Sequence, residues 1–319
     1  MRSAPILFLL LPVSLSVPLS AQTFDELVRT LAAAESLDSE AVGSDGARSD
    51  TFRTFELLRG TATRAQLEKL LSHDSAIVRG YAVRALADRE EAVDWPAVLQ
   101  ARAADTQKVI TFEGCVRSEQ QLGDVVVALA RDRKLLSAEQ WLDFAELLVQ
   151  QHSPLYAREW TLRNLHFRDG FLHTIRDLAK SGDGPAQVAL ARYGVKKDLP
   201  LLVAWLSRDG VFDDTTAFLA AQQHADPSLL PVLVGLEAKA RAAIAAGYGH
   251  RLREWFGAIA TQQSAGAAAF LLRFVQDTPS EQALRRRQVV ELLGEVMAAA
   301  GDGAVFAELR AELERLRRS

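Results

Sequence analysis

Six histidines and a scattering of carboxylates are the residues of this 319-residue chain that could do chemistry. His166, Asp169 and His173, in the stretch LHFRDGFLH, form the densest group. Two imidazoles and a carboxylate could hold a divalent cation if they shared one face of a continuous helix, where ligands recur at i, i+3 or i+4. Gly170 falls between the two histidines and is expected to end a helix there, which leaves their relative direction open. His250 and Glu254 stand at i, i+4, but two ligands make an incomplete site and read as a helical surface pair. The remaining histidines are His73, His152 and His224.

Acid–base and nucleophilic signatures are equally sparse. Asp213-Asp214 and Glu90-Glu91 are adjacent carboxylates beside expected turns, a position that suits helix caps. No nucleophile elbow, phosphate-binding glycine loop, Cys-x-x-Cys or HExxH is present, so no catalytic, cofactor-binding or metal-binding residue is assigned. Cys115 is the sole cysteine, which excludes an internal disulfide framework. Its neighbours Phe112 and Val116 suggest a partly buried thiol, with a reactive thiol or a link between two chains as the alternatives. Tyr156, Trp160, Trp205, Trp255 and Phe256 could line a peptide groove, but their spacing among leucines reads as core.

The elements that must position these residues are helices. From Leu70 to Arg89 the sequence runs LLSHDSAIVRGYAVRALADR, with Ile77, Val78, Tyr81, Ala82, Ala85 and Leu86 on one helical stripe. A polar turn, Ser72 to Ser75, separates it from an amphipathic piece at Gln66–Leu71. Two antiparallel helices so joined cannot bury their apolar faces alone and must stack on neighbours. Ser153–Phe167 repeats the logic, with Ser153 as expected N-cap and Pro154 at N1. Further helical patterns follow to the end of the chain. Arg285-Arg286-Arg287, within a helix, should splay around its axis. The last helix sets Val305, Leu309, Leu313 and Leu316 in one stripe, with Glu314 facing Arg318, and reads as a capping helix, with partner docking or dimerisation as the alternative. The stretch Asp105 to Gln120 holds β-branched and aromatic residues (Val109–Phe112) between helical neighbours, and is read as a poor helix or a long connection. Ser36–Asp50, rich in Gly, Ser and Asp, reads as a flexible loop. The fold class expected is all-α.

The segment LLSHDSAIVRGYAVRALA resembles a HEAT-type repeat: Val78-Arg79, Ala82, Ala85 and Leu86 match that pattern, and His73 stands where it often has an acid. Ser153–Leu165 is similar more loosely, with Ala157-Arg158 in place of Val-Arg, and Leu190–Leu206 looks like the junction of two repeats. The resemblance implies a right-handed α-solenoid of stacked hairpins and a role in binding proteins or peptides along a groove. It also implies that Arg79 bridges to an acid of an adjacent unit.

Residues 1–21 look like a secretory signal, with Arg2, an apolar run from Ile6 to about Leu19 and a plausible cleavage point at Ala21. Pro12 and Pro18 interrupt the run, which falls short of the ~20 residues of a spanning helix. The domain layout expected is signal peptide 1–21, N-terminal helix and loop 22–50, and solenoid 51–319. A net charge of −4 with interspersed signs argues against nucleic acid as main partner. The function expected is an exported, periplasmic or extracellular, non-catalytic scaffold that binds a protein or peptide. An enzyme with its site in the concavity and a self-assembling envelope component are the alternatives.

Overall fold

The computed structural model describes residues 22–89, 93–278, 283–301 and 303–318; the expected signal segment and Glu90-Glu91 lie outside them. The chain is mostly helical, with one small three-stranded sheet. Its described residues divide into two compact units, one drawn from 22–93 and 106–133, the other from 94–105 and 134–318.

In the first unit, α1 (Phe24–Ala32) starts at a capping box in which Thr23 and Glu26 satisfy each other's backbone N–H groups. β1 (Ser36–Val42), α2 (Asp50–Thr61), α3 (Arg64–Leu70) and α4 (Ala76–Ala87) follow. After α5 (Trp95–Arg102), which belongs to the second unit, come β2 (Lys108–Gly114), β3 (Val116–Gln121) and α6 (Leu122–Asp132). The strand order is β1-β2-β3, with β1 parallel and β3 antiparallel to β2.

Two sequence expectations are corrected here. Asp105–Gln120 is neither helix nor plain connection: Lys108–Gln121 is a β-hairpin closed by a two-residue turn, Gly114-Cys115. Gly114 takes φ +53° at the first turn position, where the right-handed twist of the strands favours a glycine. Ser36–Asp50 is not wholly a loop, because 36–42 is the strand that pairs with β2. Its Ser36 and Asp38 are buried polar residues, so composition alone suggested solvent.

α4 is the axis of this unit. It packs on its hairpin partner α3, and also on α1, α2, α6 and the sheet. Burial therefore extends around it, to Ala76, Gly80, Val83 and even Arg79 as well as the expected stripe, of which Ile77 alone is only partly buried. Gly80 is what lets the sheet approach: a Cβ there would lie 2.7 Å from a methyl of Leu37 on β1. Tyr81 is fully buried and stacks on Phe55 at 4.8 Å between centroids. Asp38 donates its backbone N–H to the Tyr81 hydroxyl (2.7 Å), and Arg84 donates to the Asp38 carbonyl (2.8 Å). Burial pushes the Tyr81 phenol well above its ordinary range, although the Asp38 N–H bond acts against it.

The second unit holds α5 and then α7 (Ala138–Gln150), α8 (Tyr156–Asn164), α9 (Leu172–Lys180), α10 (Gly184–Arg192), α11 (Leu199–Ser207) and α12 (Thr216–Gln222). α13 (Leu229–Gly235), α14 (Glu237–Ala245), α15 (Leu252–Thr261), α16 (Ala265–Gln276), α17 (Ala283–Ala299) and α18 (Ala307–Arg318) complete it. Consecutive helices pair as α7–α8, α9–α10 and α11–α12, and α8, α10, α12, α15 and α17 form a row in which each touches the next. Gly194 and Gly210 adopt the left-handed conformation expected where helices end.

Ser153 does not cap α8, which begins three residues later; its hydroxyl instead donates to the Ala103 carbonyl at 2.5 Å. Asp183 caps α10 by accepting the Ala186 N–H (2.9 Å) and also pairs with Arg158 of α8 (2.6 Å). It thus ties one helix pair to the next. Replacing Asp183 with Ala should cost roughly 2 kcal/mol in urea denaturation, the sum of a lost cap and a partly buried ion pair. Asp183→Asn, which can still cap, should cost less than half of that. Equal losses for the two variants would show that the ion pair carries the whole effect.

In α18, Leu309 and Leu313 are buried, Leu316 packs against the core, and Val305, just before the helix, is 44% exposed. Glu314 pairs with Arg318 as expected. The three arginines of α17 diverge: Arg285 reaches the Ala245 carbonyl and Arg287 pairs with Glu291.

Candidate functional site

The residues with the most chemical promise in the sequence do not meet. Phe167 and Phe171 are buried and stacked at 5.5 Å, which anchors the short turn Asp169–Phe171 to the core and leaves His166, Asp169 and His173 exposed. His166 lies against the Tyr193 ring at 4.6 Å, and the His173 Nδ1 is 2.9 Å from the Gly170 carbonyl. Tyr193 donates its hydroxyl to the Phe167 carbonyl at 2.8 Å, and burial raises its phenol to about 12. Among the described residues no group of three or more His, Cys, Asp or Glu side chains is placed to hold a metal ion.

The paired carboxylates are tied up locally. Asp213 pairs with Arg251, while Asp214 accepts from the Thr216 N–H and hydroxyl and pairs with Arg208. Burial works to raise the Asp214 carboxyl, but the Thr216 bonds and Arg208 outweigh it and hold it below the usual carboxylate range. His250 sits in the turn Gly249–Arg251 against Tyr248, outside the helix that carries Glu254. Cys115 is exposed at the hairpin turn, a correction to the partly buried thiol expected; the two-residue turn carries it beyond the packed part of the strands.

Arg79 bonds to backbone carbonyls and to a side-chain amide: its guanidinium donates to the carbonyls of His73 and Asp74 in its own turn and to Gln107 Oε1. Arg158 pairs with an acid of the following helix pair, Asp183. The aromatic residues divide: Trp255 and Phe256 are fully buried, Trp160 and Trp205 are half-buried, and Tyr156 is exposed.

One open groove of about 550 Å³ is instead formed by α12, α15 and α17. Its floor is small and apolar, with Gly257 and Ala260 from α15 and Val296 and Ala299 from α17. Gln222 of α12 crosses over Gly257, where a Cβ would come within 2.7 Å of its amide nitrogen, and donates to the Glu254 carbonyl at 2.8 Å. Arg253 and Glu295, both 55% exposed, form an ion pair between α15 and α17 at the rim. Gln223, Thr261 and Gln263 supply further amide and hydroxyl groups. Such a surface can hydrogen-bond a backbone and accept small apolar side chains. Sequence reasoning missed it, because the only signal is a set of small residues on α15 and α17 whose shared direction depends on how the two helices pack.

Comparison with family models, with curated proteins and with solved structures finds no match to this chain. No helix among the described residues is long and apolar enough to cross a membrane.

Proposed function

We propose that this protein is a non-catalytic, exported helical-repeat scaffold, and that the α12–α15–α17 groove holds a peptide or a segment of a partner protein. The groove is the observation that carries this reading. A floor of glycine and alanine admits a polypeptide backbone closely, while amides at its sides can satisfy the backbone groups that such an approach takes out of water. Side-by-side helices α8, α10, α12, α15 and α17, together with the Arg158–Asp183 tie between consecutive pairs, support a right-handed HEAT-type stack in the second unit. The signal-like residues 1–21 are the basis for export to a periplasm or the outside of the cell.

The test is selection from a displayed random-peptide library on the purified chain, with Ala299→Trp as the blocked counterpart. Ala299 lines the groove and is exposed, so the indole should fill the groove without disturbing the core. Peptides enriched on the parent chain should lose at least about tenfold in affinity on the variant, a loss of 1.4 kcal/mol or more. Enrichment of peptides that bind both forms equally would remove the groove from the proposal.

A further inference from the structure

The two edges of the small sheet are treated differently. On the β1 edge the outward backbone groups of Asp38 are both engaged, its N–H by Tyr81 and its carbonyl by Arg84, and Val42 donates to the Ala47 carbonyl. That edge is closed to another strand. The β3 edge has no strand beside it among the described residues, and Val116 (65% exposed), Arg117, Glu119 and Gln120 face solvent. An open edge of this kind is a template for pairing.

The hairpin geometry says which groups that edge offers. A two-residue turn makes Glu113 and Val116 a hydrogen-bonded pair, and alternation along the ladder makes Thr111–Ser118 another. Val116, Ser118 and Gln120 therefore direct their backbone groups at β2, while Arg117 and Glu119 direct theirs outward.

We propose that β3 pairs antiparallel with β3 of a second copy of this chain, centred on Ser118. In that register Ser118 meets its counterpart, and Arg117 faces Glu119 of the second copy, twice by symmetry. The backbone groups agree, because both residues point outward and an antiparallel pair of outward residues exchanges two hydrogen bonds. The charges agree as well: each pair is opposite in sign and projects from one face of the sheet. Arg117 is already held over the Phe112 ring at 4.8 Å, and Lys108 already contacts Glu119. Glu119 would thus sit between Lys108 of its own chain and Arg117 of the other. Shifting the register by two residues in either direction loses both Arg–Glu pairs, so the charges select this alignment. A six-residue strand buries less than the ~1,200 Å² of a standard interface, so a weak, reversible dimer is expected.

Sedimentation equilibrium of the full chain tests this, with Arg117→Glu and Glu119→Arg made separately. The parent chain should dimerise reversibly as concentration rises. Each single variant places like charges opposite one another in both pairs and should weaken association roughly tenfold or more. Mixing the two variants in equal amounts restores both opposite-charge pairs, so the mixture should associate like the parent. This rescue also shows that both variants are folded. Amide exchange at positions 117 and 119 should slow with concentration in the parent and in the mixture, but in neither variant by itself. A parent chain that stays monomeric at all concentrations, single variants that associate as the parent does, or a mixture no tighter than its components would each overturn the proposal.

Discussion

Replacing Trp255 with Ala should be the most damaging single change in the second unit, at about 3–5 kcal/mol by chemical denaturation. The indole is fully buried and makes edge contacts with Phe212, Phe270 and Phe274 at 6.0, 5.7 and 5.4 Å between centroids. Its Nε1–H donates to the Leu233 carbonyl at 2.9 Å. Truncation therefore opens a cavity that surrounding rings are too rigid to fill, and leaves the Leu233 carbonyl with the Leu236 N–H but without the indole donor. Trp255→Phe keeps most of the volume and loses the donor and part of the ring, so it should cost less than half as much. A cost below about 1 kcal/mol for the alanine variant would mean that the aromatic cluster is not the core of this unit.

In the first unit, Tyr81→Ala should cost a comparable amount, about 3–5 kcal/mol. Two contributions can be separated there. The ring fills the space between α4 and α2, stacked on Phe55, and the hydroxyl accepts the Asp38 N–H. Tyr81→Phe deletes only the second and strands a buried N–H, which should cost about 1–3 kcal/mol. It should also free the β1 edge locally, so amide exchange at Asp38 should rise in Tyr81→Phe by more than global destabilisation explains. Unchanged protection of Asp38 beyond the global effect would contradict the assignment of Tyr81 as the group that closes that edge.

What could be read from the residues follows from how local each cause is. Helix α4 was legible because an apolar stripe and the polar turn before it lie within a few residues. The mostly helical character and the buried state of Trp255 and Phe256 were legible for the same reason. β2 left a trace in Val109–Phe112, yet β3 (VRSEQQ) has no apolar alternation at all, since its outer edge and much of its surface face water. The pairing of β1 with β2 joins positions more than seventy residues apart, and Asp38 looks like a loop residue until Ser36, Ser49, Tyr81 and Arg84 surround it. The groove was hidden for a different reason. Alanines such as Ala260 and Ala299 are good helix formers anywhere, and nothing in their spacing says that neighbouring helices will leave space above them. Conversely, the His166–Asp169–His173 group looked dense in sequence, but Phe167 and Phe171 take the inward directions of that turn.

The all-round burial of α4 bears on how much a stretch of sequence can tell its reader. A helix with one wet face leaves the residues on that face nearly free, so its message is diluted by positions that any polar side chain can fill. α4 has few such positions, and even its arginines are committed, Arg79 to carbonyls of the preceding turn and Arg84 to β1. Almost every letter from Ala76 to Leu86 is therefore constrained by a neighbour. The segment with the sharpest repeat-like pattern is, for that reason, the one with the least room for noise.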